Sequence, residues 1–106
     1  MNDNSSPLCS TLASDPELRE IVRLFVAEMP DRIAGFERHL VSGNRAELTR
    51  AAHQLKGSAG SHGFTTLSHA AAELESTIKS SASQEVIVSA TANLIALCRR
   101  VTAHPD

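Results

Sequence analysis

Residues 16–42 read PELREIVRLFVAEMPDRIAGFERHLVS and indicate the fold more directly than any other stretch of the chain. Apolar residues recur there every three or four positions, which keeps one face of an α-helix apolar. They are Leu18, Ile21, Val22, Phe25, Met29, Ile33, Phe36 and Leu40. Pro30 interrupts this stripe, because proline lacks a backbone N–H and its ring clashes with the preceding helical turn. We predict a first helix from residue 16 to about residue 42, kinked or broken near Pro30.

Three later segments show the same helical spacing. The second helix opens at the capping pair Asn44 and Glu47 and ends near Gly63. The third has apolar positions from Phe64 to Ile78 and stops in the polar run at residues 80–83, and the last has apolar positions from Ile87 to Val101. Short polar turns join them. Four amphipathic helices with short connections predict an all-α fold, an antiparallel up-down-up-down four-helix bundle.

Length and composition limit the domain organisation and the function classes. The 106 residues allow one domain, and we expect residues 1–13 to form a flexible N-terminal tail and residues 14–106 to form the bundle. A net charge of −2 gives no basic surface for nucleic acid. No apolar run approaches the length of a membrane span, and the N-terminus lacks the pattern of a signal peptide. We therefore expect a cytoplasmic protein.

The second predicted helix carries an unusual surface around His53. On a helical wheel Lys56, Gly57 and Gly60 lie within about 60° of His53, on the side opposite the core stripe. Two mid-helix glycines cost about 2 kcal/mol relative to alanine, so a function has to require that bare surface. A helical side chain lies back over the preceding turn, so Gly57 leaves the imidazole of His53 uncovered.

These residue types favour phosphoryl transfer. Imidazole is a nucleophile near neutral pH, and Lys56 and Arg50 bring positive charge for an anion on the ring. Gln54 either hydrogen-bonds near the ring or faces water, and the wheel leaves both alternatives open. Gly57 and Gly60 would give a protein-sized donor close access.

The stretch AHQLKGSAGSHG, residues 52–63, resembles the histidine-containing phosphotransfer (HPt) domains of bacterial multistep phosphorelays. After the histidine, that family carries an apolar residue at +2, lysine at +3, glycine at +4, two small residues at +5 and +6, and glycine at +10. All of them are present. The resemblance continues through Leu67, Ala71, Leu74 and Glu75 and covers roughly residues 16–80. His62 departs from it, because the family often carries an apolar residue there.

The resemblance implies a phosphorelay carrier. His53 would accept a phosphoryl group from a receiver-domain aspartyl phosphate and transfer it to the aspartate of another receiver. Lys56, and with it Gln54, would support the phosphoryl group. The partners would be response-regulator receiver domains and a hybrid histidine kinase, with Arg50 and Ser61 on the docking rim. We expect a monomer without its own ATP-dependent kinase activity and without a cofactor, since the receiver brings the magnesium ion.

Two other functions are compatible with a helical bundle that exposes a histidine. One is the dimerisation bundle of a sensor histidine kinase, but Gln54 and Leu55 follow the histidine where those domains usually carry an acidic residue and a proline. The other is an adaptor that docks a receiver without phosphotransfer. No His-Glu-x-x-His motif is present, and we predict no metal site. Lys79, which closes the third helix, is interpreted as a partner of that helix's dipole.

Overall fold

The computed structural model describes residues 6–103, which form five α-helices and one short pair of parallel strands. The helices are α1 (Arg19–Ala27), α2 (Met29–Val41), α3 (Arg45–Ser61), α4 (Thr65–Lys79) and α5 (Gln84–Cys98). The strands are β1 (Leu8–Cys9) and β2 (Val101–Thr102). Helices α2 to α5 pack around one core, each against two neighbours, and α1 lies at one end. This confirms the predicted all-α four-helix bundle.

The predicted first helix is broken in two, as the position of Pro30 indicated. Helix α1 ends at Ala27, Glu28 lies between the two helices, and Pro30 is in the first turn of α2. A proline in a first turn leaves no helical hydrogen bond unmade, because the N–H groups there have no partner inside the helix. The start of the helix is at Arg19, three residues later than expected. Asp15 accepts a hydrogen bond from the backbone N–H of Glu17, 2.9 Å away, in a turn that precedes the helix.

The two ends of α3 follow the sequence signals, whereas α5 ends at Cys98 and Val101, predicted to lie on the last helix, belongs to β2. Asn44 Oδ1 accepts the backbone N–H of Glu47 at 3.1 Å and opens α3, as predicted. Gly63 lies within the α3–α4 connection and has a φ of +82°, a backbone conformation that favours glycine. The backbone N–H of Phe64 then bonds to the carbonyl of Ala59 at 2.9 Å, so α3 turns directly into α4.

The core contains apolar residues from every helix. Its buried members are Val22, Phe25, Met29, Phe36, Leu48, Ala52, Leu55, Ala59, Phe64, Leu67, Ala71, Leu74, Ile78, Ile87, Leu94, Ile95, Cys98 and Val101. Ile21, which belongs to the predicted apolar stripe, is 43% exposed, whereas Val22 and Phe25 of the same helix are buried. Burial of such side chains is the main stabilising contribution in a bundle of this size.

The segment before α1 contacts the bundle, although the sequence pattern indicated a flexible tail over residues 1–13. Leu8 donates its backbone N–H to the carbonyl of Arg100 at 2.7 Å, and β1 runs parallel to β2. The hydroxyl of Ser10 donates to the carbonyl of His62, and Ala13 is buried. Residues 6–13 are therefore packed against the α3–α4 connection and the end of α5. Residues 1–5 and 104–106, at the two ends of the predicted tail and domain, lie outside the described residues.

Candidate functional site

His53 lies on the outer face of α3, where the helical spacing predicted it. Its neighbours Ala52 and Leu55 are buried in the core, whereas 64% of the His53 side chain is exposed. The imidazole is thus held on a rigid helix and open to solvent.

A buried carboxylate on α4 binds the imidazole. Helices α3 and α4 are antiparallel, so that His53 lies opposite Glu75 and Gly60 lies opposite Ser68. The Nδ1 atom of His53 is 2.9 Å from Glu75 Oε2. Glu75 is only 5% exposed, which is unusual for a carboxylate unless it is paired.

Two lysines bind the same carboxylate. Lys56 Nζ is 3.0 Å from Glu75 Oε1, and Lys79 Nζ is 2.9 Å from Glu75 Oε2. The hydrogen bonds from Lys79, Lys56 and His53 outweigh the effect of burial and lower the pKa of Glu75 from its ordinary value of 4.5 to about 2. Glu75 is therefore ionised at neutral pH.

The ionised carboxylate determines which nitrogen of His53 is reactive. An ionised carboxylate only accepts hydrogen bonds, so Nδ1 carries the proton in its contact with Glu75. In the neutral ring the lone pair is then on Nε2. Within residues 6–103 no group hydrogen-bonds to Nε2. The arrangement presents an oriented nucleophilic nitrogen to an incoming molecule.

The two glycines on the His53 stripe differ in their surroundings. A Cβ atom on Gly57 would have no contact within 4 Å, so this position is bare towards solvent, as predicted. A Cβ atom on Gly60 would lie 3.3 Å from Ser68 Oγ on α4. The Ser68 hydroxyl in turn donates to the carbonyl of Lys56 at 2.8 Å. Gly60 therefore allows helix α4 to approach α3 closely.

Within residues 6–103, none of the remaining candidate side chains forms a hydrogen bond or an ion pair with His53. Gln54 is exposed on α3, and its side chain makes no hydrogen bond with the described part of the chain. Arg50, one turn before His53, is 69% exposed and 3.7 Å from the carboxylate of Glu47. Ser61 donates to the carbonyl of Ser58 at the far end of α3. It is about 12 Å along the helix axis from His53.

His62 has a structural environment that accounts for its departure from the family pattern. Its ring stacks on Phe25 with 4.8 Å between centroids, and its Nδ1 donates to the carbonyl of Ser58 at 2.7 Å. On this flank the guanidinium of Arg32 lies 5.7 Å from the centroid of the Phe25 ring. The imidazole of His62 thus covers apolar surface as an apolar side chain would.

The helical spacing of the sequence does not by itself assign Glu75 or Lys79 a role at this site. Glu75 entered only as part of the family resemblance, and Lys79 as a helix-dipole partner. A signal was present in the sequence, because Glu75 lies between Leu74 and Ile78 on the apolar side of α4 and has a lysine four residues later. An acidic residue beside a core stripe needs a buried partner.

Two further properties of the described chain concern metals and membranes. Among residues 6–103, no three histidine, cysteine or acidic side chains come together in an arrangement that could hold a metal ion. None of the helices in this range combines the length and apolar character that a membrane crossing requires.

Comparison with known proteins identifies one family. The family model described as "Hpt domain" matches residues 20–103, a range that contains α2 to α5 with His53, Lys56 and Glu75. No curated protein and no solved structure matches the chain significantly.

Proposed function

Because the chain belongs to the Hpt domain family, whose members take part in histidine phosphotransfer in phosphorelays, we propose that His53 is its phosphoryl-accepting residue. In this proposal His53 receives the phosphoryl group from an aspartyl phosphate on one receiver domain and passes it to the aspartate of another. The observation that carries the proposal is the exposed imidazole whose Nδ1 is bound by the buried, ionised Glu75.

The site chemistry follows from the two ring nitrogens. The Nε2 lone pair attacks phosphorus, the N–P bond forms, and the P–O bond to the receiver aspartate breaks, which releases that aspartate as a carboxylate. The proton on Nδ1 stays in its hydrogen bond with Glu75. The ring becomes more positive as the N–P bond forms, and the neighbouring carboxylate stabilises that charge.

Lys56 and Gly57 have separate roles in this proposal. Lys56 is one turn after His53 on the same face, so its flexible ammonium group can reach a phosphoryl group on the imidazole. Gly57 leaves the outer surface bare, so a receiver can bring its aspartyl phosphate close to Nε2. The exposed Arg50 and Gln54 are the nearest side chains for the docking rim, whereas the distance of Ser61 makes it a peripheral member.

The partners and the setting belong to the same proposal. The donor and the acceptor are response-regulator receiver domains, one of them attached to a hybrid histidine kinase, and the receiver supplies the magnesium ion. The protein acts in the cytoplasm as a monomeric carrier and has no cofactor of its own. It does not phosphorylate itself from ATP, so incubation with ATP alone should leave it unlabelled.

Replacement of His53 by glutamine tests the proposal. The purified chain is mixed with a receiver domain phosphorylated on its aspartate, and acid-labile phosphate on the chain is measured by mass spectrometry. The parent and His69→Gln, a matched control at an exposed histidine of α4, should accept phosphate, and His53→Gln should not. Equal phosphorylation of His53→Gln would refute the assignment. Receiver binding without phosphate transfer by the parent would favour the adaptor function instead.

A further inference from the structure

Lys79 binds Glu75 at the site, and the acceptance of a phosphoryl group by His53 does not by itself explain this contact. The chain has ten basic residues of the lysine and arginine types, and only two of them, Lys56 and Lys79, are lysines. Both lysines bind the carboxylate of Glu75. Lysine carries a compact charge on a flexible stem and changes partners more readily than the planar guanidinium of arginine.

The two lysines bind Glu75 in different ways. Lys56 comes from α3, the helix of His53, and occupies Oε1 at 3.0 Å. Lys79 comes from α4, four residues after Glu75, and occupies Oε2 at 2.9 Å, the same oxygen that accepts from His53. The contact of Lys79 is therefore within one helix, and α4 supplies both of its partners.

Phosphorylation would change the partners of the two lysines unequally. A phosphoryl group carries a charge of about −1.5 to −2 near neutral pH and attracts the ammonium group of Lys56, which then leaves Glu75. Glu75 is 5% exposed, and a buried carboxylate without a cation is costly. A groove of about 290 Å³, lined by Lys56, Ala72, Glu75, Ser76 and Lys79, gives the ammonium groups room to move.

We propose that Lys79 is a positioning residue for phosphotransfer, which holds Glu75 ionised and in place while Lys56 moves from Glu75 to the phosphoryl group. This inference rests on the proposed function of His53. The unphosphorylated cluster, with two ammonium groups and one carboxylate, has a net charge of +1 when the imidazole is neutral. Without Lys79 that charge is lost, and the departure of Lys56 leaves Glu75 with His53 alone.

The test compares Lys79→Met and Lys79→Arg with the parent, and Arg99→Met serves as the matched control. Arg99 is 60% exposed, close to the 63% of Lys79. Like Lys79, it lies at the C-terminal end of its helix and pairs with a glutamate, here Glu37. The first measurement is the equilibrium between phosphorylated His53 and a phosphorylated receiver. Lys79→Met should lower the equilibrium ratio of phosphorylated His53 to phosphorylated receiver by about three- to tenfold, which is the effect of removing one partly exposed charge. Lys79→Arg should restore most of it, and Arg99→Met should match the parent.

The second measurement is an NMR titration of the Glu75 carboxyl carbon between pH 7 and pH 4. The charged or titratable groups that face this carboxylate are His53 and Lys56 from α3 and Lys79 from α4. The parent resonance should stay that of a carboxylate, whereas Lys79→Met should begin to titrate in this range. A merely structural role of Lys79 would lower stability without this change.

The outcomes separate the two proposals. If the parent is phosphorylated on His53 but Lys79→Met has the same equilibrium and the same Glu75 titration, only the role of Lys79 is refuted. If the parent takes no phosphate on His53, the proposed function is refuted, and this inference with it. Failure of Lys79→Arg to restore the equilibrium also contradicts the positioning role, because arginine keeps the charge.

Discussion

Glu75→Gln should make the protein less stable at neutral pH and should remove part of its sensitivity to acid. Glutamine keeps the size of the side chain and one oxygen acceptor, so the substitution removes the negative charge with little change in packing. The charge holds three donors, from His53, Lys56 and Lys79. The variant therefore measures the energy of the charged network rather than that of a cavity.

The size of the effect follows from the pKa of Glu75. A fall from 4.5 to about 2 corresponds to at most about 3 kcal/mol of stability at neutral pH. Solvent screening lowers this value, because the side chains of Lys56 and Lys79 are 39% and 63% exposed. We expect about 1–2 kcal/mol. Since the pKa is lower in the folded than in the unfolded protein, the stabilisation is complete above about pH 4.5 and is lost as the pH falls towards 2.

Urea unfolding at several pH values between 7 and 3.5 measures this difference. The free energy of unfolding of the parent should exceed that of Glu75→Gln by about 1–2 kcal/mol at pH 7, and the gap should narrow below pH 4.5. Glu73→Gln is the matched control, since Glu73 is exposed on the same helix, and should stay within about 0.5 kcal/mol of the parent. A difference that is absent at pH 7, or that keeps its full size at pH 3.5, would refute the charged network.

Four smaller substitutions test the glycines and the N-terminal segment. Gly57→Ala should raise stability by about 0.5–1 kcal/mol in thermal unfolding, because its Cβ meets nothing in the isolated chain. The same Cβ should slow phosphotransfer from a receiver, and unchanged transfer would contradict the role of Gly57 in access. Gly60→Ala should gain less stability in the same unfolding assay or lose some, because its Cβ would lie 3.3 Å from Ser68 Oγ; a gain equal to that of Gly57→Ala would argue against close packing there. Gly63→Ala should cost about 2 kcal/mol or more in urea unfolding, because its φ is +82° and its Cβ would lie 2.5 Å from Ser10 Oγ; a neutral result would show that this connection is relaxed. Ser10→Ala should cost about 1 kcal/mol in that assay through the lost hydrogen bond to the α3–α4 connection, and no loss would contradict the packing of the N-terminal segment.

The fold was predictable wherever a local signal acts alone. Apolar spacing identified the helices, and side-chain capping at Asn44 opened α3 where expected. The predicted helix start at residue 16 was wrong by three residues, because the Asp15 side chain accepts a hydrogen bond in a turn as readily as at a helix end. The packing of residues 6–13 had no local signal at all. It depends on the carbonyls of His62 and Arg100, which are distant in sequence.

The candidate site also has parts that follow from a local pattern and parts that depend on helix packing. A helical wheel is enough to place His53, Lys56 and Gly57 on one exposed face, because that geometry is internal to α3. The wheel also grouped Gly60 with them, but it could not show that α4 comes within contact distance of that glycine. The roles of individual residues in phosphotransfer stay predictions.

The sequence by itself determined the helical class, the exposed histidine and membership of the Hpt domain family, since each is a pattern within one helix or a short motif. The tertiary structure alone brought Glu75 to the imidazole and placed the chain's two lysines on that one carboxylate. Such a cluster depends on the register between α3 and α4, which the packing of their buried faces sets. A single helix cannot specify that register, so the proton on Nδ1 and the free lone pair on Nε2 follow from the folded bundle.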